Sequence, residues 1–286
     1  MFQILGFYKF KKNKFLKKKK LLIQNFLINK NIRGTIIIAN EGLNATISGK
    51  VDDLKLSIDK IKKILDFKKF DSENKSKSKF QPFYKLKVKI KKEVVPMGIR
   101  IIKRKTKNHV EPAKWNKLIK NKNTFLIDAR KPFEFKVGTF KNAKNPKINN
   151  FRDFPNYLKN LNKDKNIAMF CTGGIRCEKS TSYLKKIGYK NVFHLQGGIL
   201  KYLEKVPEKE SMWEGDCFVF DYRVSLNNEL KQGNYEMCFA CRMPLSKKDK
   251  KNKLFSEGKS CHHCHYKTST KQKQRFSERQ KQVLLS

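Results

Sequence analysis

The run Cys171-Thr172-Gly173-Gly174-Ile175-Arg176-Cys177 puts a thiol, two glycines and a guanidinium into one short loop. The apolar run Asn166-Ile167-Ala168-Met169-Phe170 before it reads as a buried strand, and residues 178–186 after it read as a helix ending at Gly188. On a strand-to-helix turn, backbone N–H groups and the positive end of the helix dipole converge on one point. Gly173 and Gly174 are free to take positive φ and wrap the chain around the sulfur. Arg176 adds a permanent positive charge. All these effects favour thiolate over thiol, so Cys171 is expected to ionise below the free value of about 8.5 and to serve as a nucleophile.

Spacing narrows the chemistry. Cysteine-dependent phosphatases place five residues between Cys and Arg so that the guanidinium closes a ring around a phosphate. Four residues separate Cys171 from Arg176 here, and position 177 holds a second cysteine. The smaller loop, with Thr172 and Ile175 completing it, suits a single sulfur or oxygen substituent on Cys171 better than a phosphoester. Cys177 either resolves an oxidised or persulfidated Cys171 or simply packs in its helix. Asp128, at the end of the strand spanning residues 125–128, is a candidate to orient Arg176 or Arg130 at the rim of the loop.

A second constellation lies near the C-terminus, where Cys238-x2-Cys241 and Cys261-x2-Cys264 are separated by 19 residues. Each pair can grip one metal ion from a tight knuckle, and four thiolates complete a tetrahedral structural Zn site. A segment with so little apolar content needs a staple of this kind. His262, His263 and His265 crowd the second knuckle and read as solvated or phosphate-facing, since both cysteine pairs are complete.

The loop resembles that of a rhodanese domain, as do Leu126-Ile127-Asp128-Ala129-Arg130, Pro132-Phe133-Glu134-Phe135 and His194-Leu195-Gln196-Gly197-Gly198-Ile199. With Ile38-Ala39-Asn40-Glu41-Gly42-Leu43-Asn44-Ala45, Lys85-Leu86-Lys87-Val88-Lys89 and Phe218-Val219-Phe220-Asp221, nearly the whole chain resembles the rhodanese-containing tRNA uridine hydroxylases. That resemblance implies hydroxylation of the wobble uridine of tRNA to 5-hydroxyuridine, with molecular oxygen as co-substrate and Cys171 as the essential residue. Two other readings share these residues: a sulfurtransferase working through a Cys171 persulfide, and a zinc-stapled RNA-binding module with an inert rhodanese domain. No iron-binding triad and no dinucleotide fingerprint stands out, so no nucleotide cofactor is evident.

The 286 residues carry 67 Lys and Arg against 25 Asp and Glu, a formal charge of +42. Such a charge draws a protein to polyanions through counterion release, and tRNA, held at its anticodon region, is the expected partner. The same abundance of Lys, Asn, Ile and Phe arises from translating an A/T-rich gene, so charge by itself supports RNA binding only weakly. The seven cysteines, with no secretory leader and no apolar stretch of about 18 residues, suggest a cytoplasmic protein with reduced thiols and no membrane span. No protein partner is evident.

The positioning elements read as three domains, over residues 1–105, 109–215 and 216–286. In the first, strand 2–9, helix 15–28, a hairpin over 33–48 about the turn Asn40-Glu41-Gly42, helix 51–65 and strand 84–90 give the ferredoxin-like order βαββαβ. Residues 71–79, polar and lysine-rich, read as a flexible loop, and a boundary is expected near residues 103–108. In the second, strands 125–128, 167–170 and 192–194 alternate with helices 112–120, 154–161 and 178–186, the pattern of a parallel α/β sheet that binds ligands at its carboxyl edge. The third is the four-cysteine zinc-type segment, with a basic tail over residues 267–281 expected to be disordered.

Overall fold

The computed structural model describes residues 1–99 and 108–284, so most of the boundary expected at residues 103–108 lies outside the described residues. The N-terminal unit runs β1 (Phe2–Phe10), α1 (Leu16–Ile28), β2 (Arg33–Ala39), β3 (Gly42–Gly49), α2 (Val51–Leu65), β4 (Ser72–Ser78) and β5 (Leu86–Ile90). The strands form one sheet in the order β4-β1-β3-β2-β5. β3 runs antiparallel to both β1 and β2, as a ferredoxin-like fold requires.

The fourth strand of that fold is not the one expected. Residues 71–79, read as a loop, contain β4, which pairs antiparallel with β1 from Phe2↔Ser78 to Tyr8↔Ser72. Its sequence, Ser-Glu-Asn-Lys-Ser-Lys-Ser, has no apolar alternation to announce a strand. It is an edge strand held by main-chain bonds, with exposed Lys75 and Lys77 discouraging further pairing. The strand expected at residues 84–90 is instead β5, which lies parallel to β2 at the opposite edge.

The period of two divides this sheet into two surfaces. Leu5, Phe7, Ile36, Ile38, Ala45 and Ile47 point to α1 and α2 and pack there with Leu27, Leu54, Ile58, Ile61 and Leu65. α2 presents these residues at helical spacing, with Asp52 and Asp53 in its first turn and Lys62 and Lys63 in its last, both complementing the helix dipole. Gly6, Tyr8, Thr35, Ile37, Asn44, Thr46 and Asn74, alternating with the core residues, point the other way and form a wall of a cleft.

The central unit comprises β6 (His109–Val110), α3 (Pro112–Lys120), β7 (Thr124–Asp128), α4 (Pro132–Val137), β8 (Gly138–Phe140), α5 (Phe154–Lys159), β9 (Asn166–Phe170), α6 (Ile175–Lys186), β10 (Val192–Leu195) and α7 (Gly198–Lys205). Strands β6-β10-β9-β7 make a parallel sheet in that order. One face carries Phe154, Leu158, Ile167, Met169, Leu184 and Val192, and the other Trp115, Ala168, Phe170, Leu195, Ile199 and Tyr202.

Four two-residue strands and one of three follow: β11 (Trp213–Gly215), β12 (Cys217–Phe218), β13 (Ser225–Leu226), β14 (Glu236–Met237) and β15 (Pro244–Leu245), then α8 (Lys247–Lys250) and α9 (Thr270–Leu284). α9 replaces the disordered tail expected there. Phe276 anchors it against the core around Cys238, Ala240, Leu245, Cys261 and Cys264, and Arg279 donates to the carbonyl of Phe239. Among the described residues no helix is long and apolar enough to cross a membrane.

Candidate active site

Cys171 follows the last residue of β9, at the carboxyl edge of the parallel sheet, and is 1 % exposed. Of the two loop glycines only Gly174 takes positive φ, at 94°, which turns the chain into α6. The Gly197-Gly198 turn presses against the other side of the loop. A Cβ on Gly198 would come within 2.4 Å of the Cys171 carbonyl oxygen, a clash that only glycine avoids. The first N–H groups of α7 complete the support, Ile199 donating to Cys171 O at 3.0 Å and Leu200 to Thr172 O at 3.2 Å.

Burial opposes ionisation of the Cys171 thiol, but the surrounding donors overcome it. The Cys177 thiol donates to the sulfur, the Arg176 guanidinium attracts it, and the backbone N–H groups of Cys177 and Arg176 donate to it; together they bring the value from 9.0 down to about 6. Cys177 behaves in the opposite sense. Its burial and the neighbouring Cys171 sulfur hold it well above the ordinary range, so it stays a protonated donor.

Arg176 is held by Glu134, not by Asp128. Its Nη1 donates to both carboxylate oxygens and its Nη2 to Oε1, all at 3.2 Å, and the Glu134 side chain is wholly buried. Glu134 also accepts the Lys131 N–H at 3.1 Å, closing the first turn of α4. Asp128 holds Arg130 instead: Arg130 donates to it through Nε at 2.9 Å and Nη2 at 2.6 Å, and to Gly138 O at 2.6 Å. With Arg130 stacked 5.2 Å from the Trp213 ring, this pair is part of the frame.

The N-terminal sheet touches the loop directly. Ser72 Oγ donates to Gly173 O at 3.4 Å, Asn74 Nδ2 to Gly197 O at 3.1 Å, and Tyr8 OH to Glu178 Oε2 at 3.3 Å. Lys179, one turn into α6 and fully buried, donates to Glu41 at 2.9 Å, Glu93 at 2.6 Å and Val95 O at 2.8 Å. Glu41 belongs to the Asn40-Glu41-Gly42 turn, so this turn clamps the N-terminal domain to the helix that starts at the reactive loop. Between the sheet wall and the loop lies a cleft of about 680 Å³, lined by Thr172, Gly173, Ile175 and Arg176 on one side and by Tyr8, Asn44 and Asn74 on the other.

The fold also assembles a set that no linear motif displays. His109 Nε2 and His194 Nε2 lie 3.6 and 3.4 Å from Glu178 Oε2, and the two imidazole rings stand 4.4 Å apart. Two imidazoles and a carboxylate are the groups of a His–Glu ion pair and equally those of a divalent-cation site. They come from β6, α6 and β10, which is why spacing conceals them.

The four C-terminal cysteines do meet. Their sulfurs lie within 4.8 Å of one another, with Cys241–Cys261 at 3.7 Å and Cys261–Cys264 at 3.8 Å. Zn–S bonds of about 2.3 Å in a tetrahedron require sulfurs about 3.8 Å apart, so these residues fit zinc. The seventh cysteine, Cys217, is buried and its thiol is pushed up to about 12 by that burial, so it is a packing residue.

Residues 2–94 match the family described as the UPF0176 acylphosphatase like domain, and residues 111–205 the rhodanese-like domain family. The chain is 62 % identical over 287 aligned residues to the tRNA uridine(34) hydroxylase of Pelagibacter ubique (strain HTCC1062), a match covering 100 % of this chain and 95 % of that one. Among solved structures, a rhodanese-related protein from Thermoplasma volcanium is 26 % identical, with 35 % of this chain and 93 % of the other covered and a TM-score of 0.31. A rhodanese-like domain protein from Staphylococcus aureus is also 26 % identical, with coverages of 33 % and 90 % and a TM-score of 0.29. By its full-length identity and its two domains, the chain belongs to the tRNA uridine(34) hydroxylase family.

Proposed function

We propose that this enzyme hydroxylates the wobble uridine of tRNA to 5-hydroxyuridine, with the Cys171 thiolate as the reactive group. The observation that carries the reading is the full-length match to a tRNA uridine(34) hydroxylase combined with a loop cysteine brought down to about 6. At neutral pH the sulfur is anionic and nucleophilic. Arg176, pinned by Glu134, keeps the charge in place, and Cys177 supplies the S–H donor that steadies it.

In this reading the described residues of the 1–105 domain form the ferredoxin-like wall of the cleft, residues 109–215 carry the catalytic loop, and residues 216–286 carry a zinc knuckle with a basic helix. Molecular oxygen is the co-substrate. Zinc, on Cys238, Cys241, Cys261 and Cys264, is structural. It would staple the C-terminal segment and place α9, with Lys271, Lys273, Arg275 and Lys281, for phosphate contacts. The anticodon loop offers an unpaired base to the cleft. The protein works in the cytoplasm, where its thiols stay reduced.

Nucleoside mass spectrometry of total tRNA from strains with and without this gene, grown with and without oxygen, tests the reading. Gene- and oxygen-dependent 5-hydroxyuridine is expected. A gene-dependent thiolated nucleoside in its place would assign the Cys171 loop to sulfur transfer.

A further inference from the structure

The run Phe218-Val219-Phe220-Asp221 has no part in the chemistry above, yet it is built with care. Val219 N–H donates to Val224 O at 2.9 Å and Val224 N–H to Asp221 O at 3.0 Å, with Val224 at φ 63°, so residues 219–224 form a tight turn. Asp221 accepts from Arg223 Nε at 2.8 Å and Nη2 at 2.6 Å, and both side chains are almost wholly buried. Arg223 then reaches across to Ser76 Oγ on β4 at 2.7 Å, while Tyr222 N–H donates to Pro82 O at 2.9 Å. The turn is fastened to the N-terminal unit at two points, β4 and the loop that leads to β5.

Its tip nevertheless presents a phenyl ring. Phe220 is 62 % exposed, stands edge-on to the buried Phe218 at 5.0 Å, and lies 5.9 Å from the Arg176 guanidinium. It lines the same cleft as Thr172, Gly173 and Arg176. A single exposed apolar residue is ordinary. A ring carried on a main-chain turn held by these bonds, and lying against Phe218 and the Arg176 guanidinium, is a surface already placed at the cleft before anything binds.

We infer that Phe220 is the platform on which the unpaired pyrimidine base of the RNA substrate stacks as it enters the cleft beside Cys171. This rests on the RNA substrate of the proposed function. The occupant follows from the lining: a flat π surface for the base, the exposed Lys131 for the adjoining phosphate, and the amides and hydroxyls of Asn44, Asn150 and Thr35 for the polar edge of the ring. The volume of about 680 Å³ accommodates a nucleotide.

The test is equilibrium binding of a stem-loop RNA carrying one unpaired uridine, beside the same RNA with an abasic site there. Full-length protein is used in its wild-type, Phe220→Ala, Phe220→Leu and Phe220→Trp forms. Stacking predicts that Phe220→Ala and Phe220→Leu weaken the uridine RNA roughly 5- to 100-fold, leave the abasic RNA within about twofold, and that Phe220→Trp binds as wild type or tighter. Equal binding by Phe220→Ala, full retention by Phe220→Leu, or equal weakening toward both RNAs would overturn the inference. Binding is read without turnover, so a failure of the hydroxylation chemistry, seen as absent 5-hydroxyuridine, stays distinguishable from a failure of the platform.

Discussion

Replacing the Arg176–Glu134 pair together, as Arg176→Gln with Glu134→Gln, removes the guanidinium's charge without stranding a buried carboxylate. Arg176→Gln alone would leave Glu134, with 0 % of its side chain exposed, as an uncompensated charge, at a cost of about 3–5 kcal/mol that would obscure the chemistry. With Cys171 at about 6 rather than 9.0, ~90 % of the sulfur is thiolate at neutral pH instead of ~1 %. A neighbouring opposite charge shifts an ionisation by about one to three pH units. The Cys177 thiol and the loop amides remain in the double variant, so its ionisation should rise by about one to two units, and turnover at neutral pH should fall roughly two- to tenfold. With the anion as the proposed active form, activity is expected to rise with pH in both proteins. Wild type should show its half-point near 6, and the variant should recover wild-type rates at alkaline pH. Single-turnover modification of tRNA between about pH 5 and 9, read by nucleoside mass spectrometry, measures this directly. A variant whose rate drops equally at every pH, its half-point unmoved, would refute the role given to Arg176. The depressed ionisation also stabilises the fold: the contribution is full above about pH 9 and is lost as the pH falls through about 6.

Metal analysis of purified protein should find about one zinc per chain, lost together with the C-terminal fold on strong chelation; a folded, metal-free protein would remove the zinc assignment. Changing Lys271, Arg275 and Lys281 on α9 to Gln should weaken tRNA binding and flatten its salt dependence by up to about two in log–log slope, and an unchanged slope would exclude the helix from the RNA contact. Lys179→Met should cost about 3–5 kcal/mol in denaturant unfolding, because Glu41 and Glu93 would then face one another without their shared cation; a loss below about 1 kcal/mol would contradict the clamp.

What the sequence displayed was what is local. The reactive loop, the hairpin of β2 and β3, and the cysteine knuckles each rest on neighbouring residues, so their spacing carries them. β4 escaped because a strand of serines, lysines and an asparagine is held by main-chain bonds to β1 and not by burial of an apolar face. α9 read as disordered because its polar composition hides the contacts that dock it, Phe276 on the cysteine core and Arg279 on the Phe239 carbonyl. The partners of the site were illegible for a different reason. Glu134 lies 42 positions from Arg176, and Glu41 lies 138 from Lys179, so only the fold brings them together. Asp128 and Arg130 pair across only two positions, so that contact was within reach of a local reading.

The central claim is that a single ionised sulfur performs the modification. A strain lacking the gene, complemented with the Cys171→Ser protein at wild-type abundance, puts that claim to nucleoside mass spectrometry. The account predicts that 5-hydroxyuridine is absent from its tRNA while the variant remains folded and bound to tRNA. 5-Hydroxyuridine at the wild-type level would contradict it.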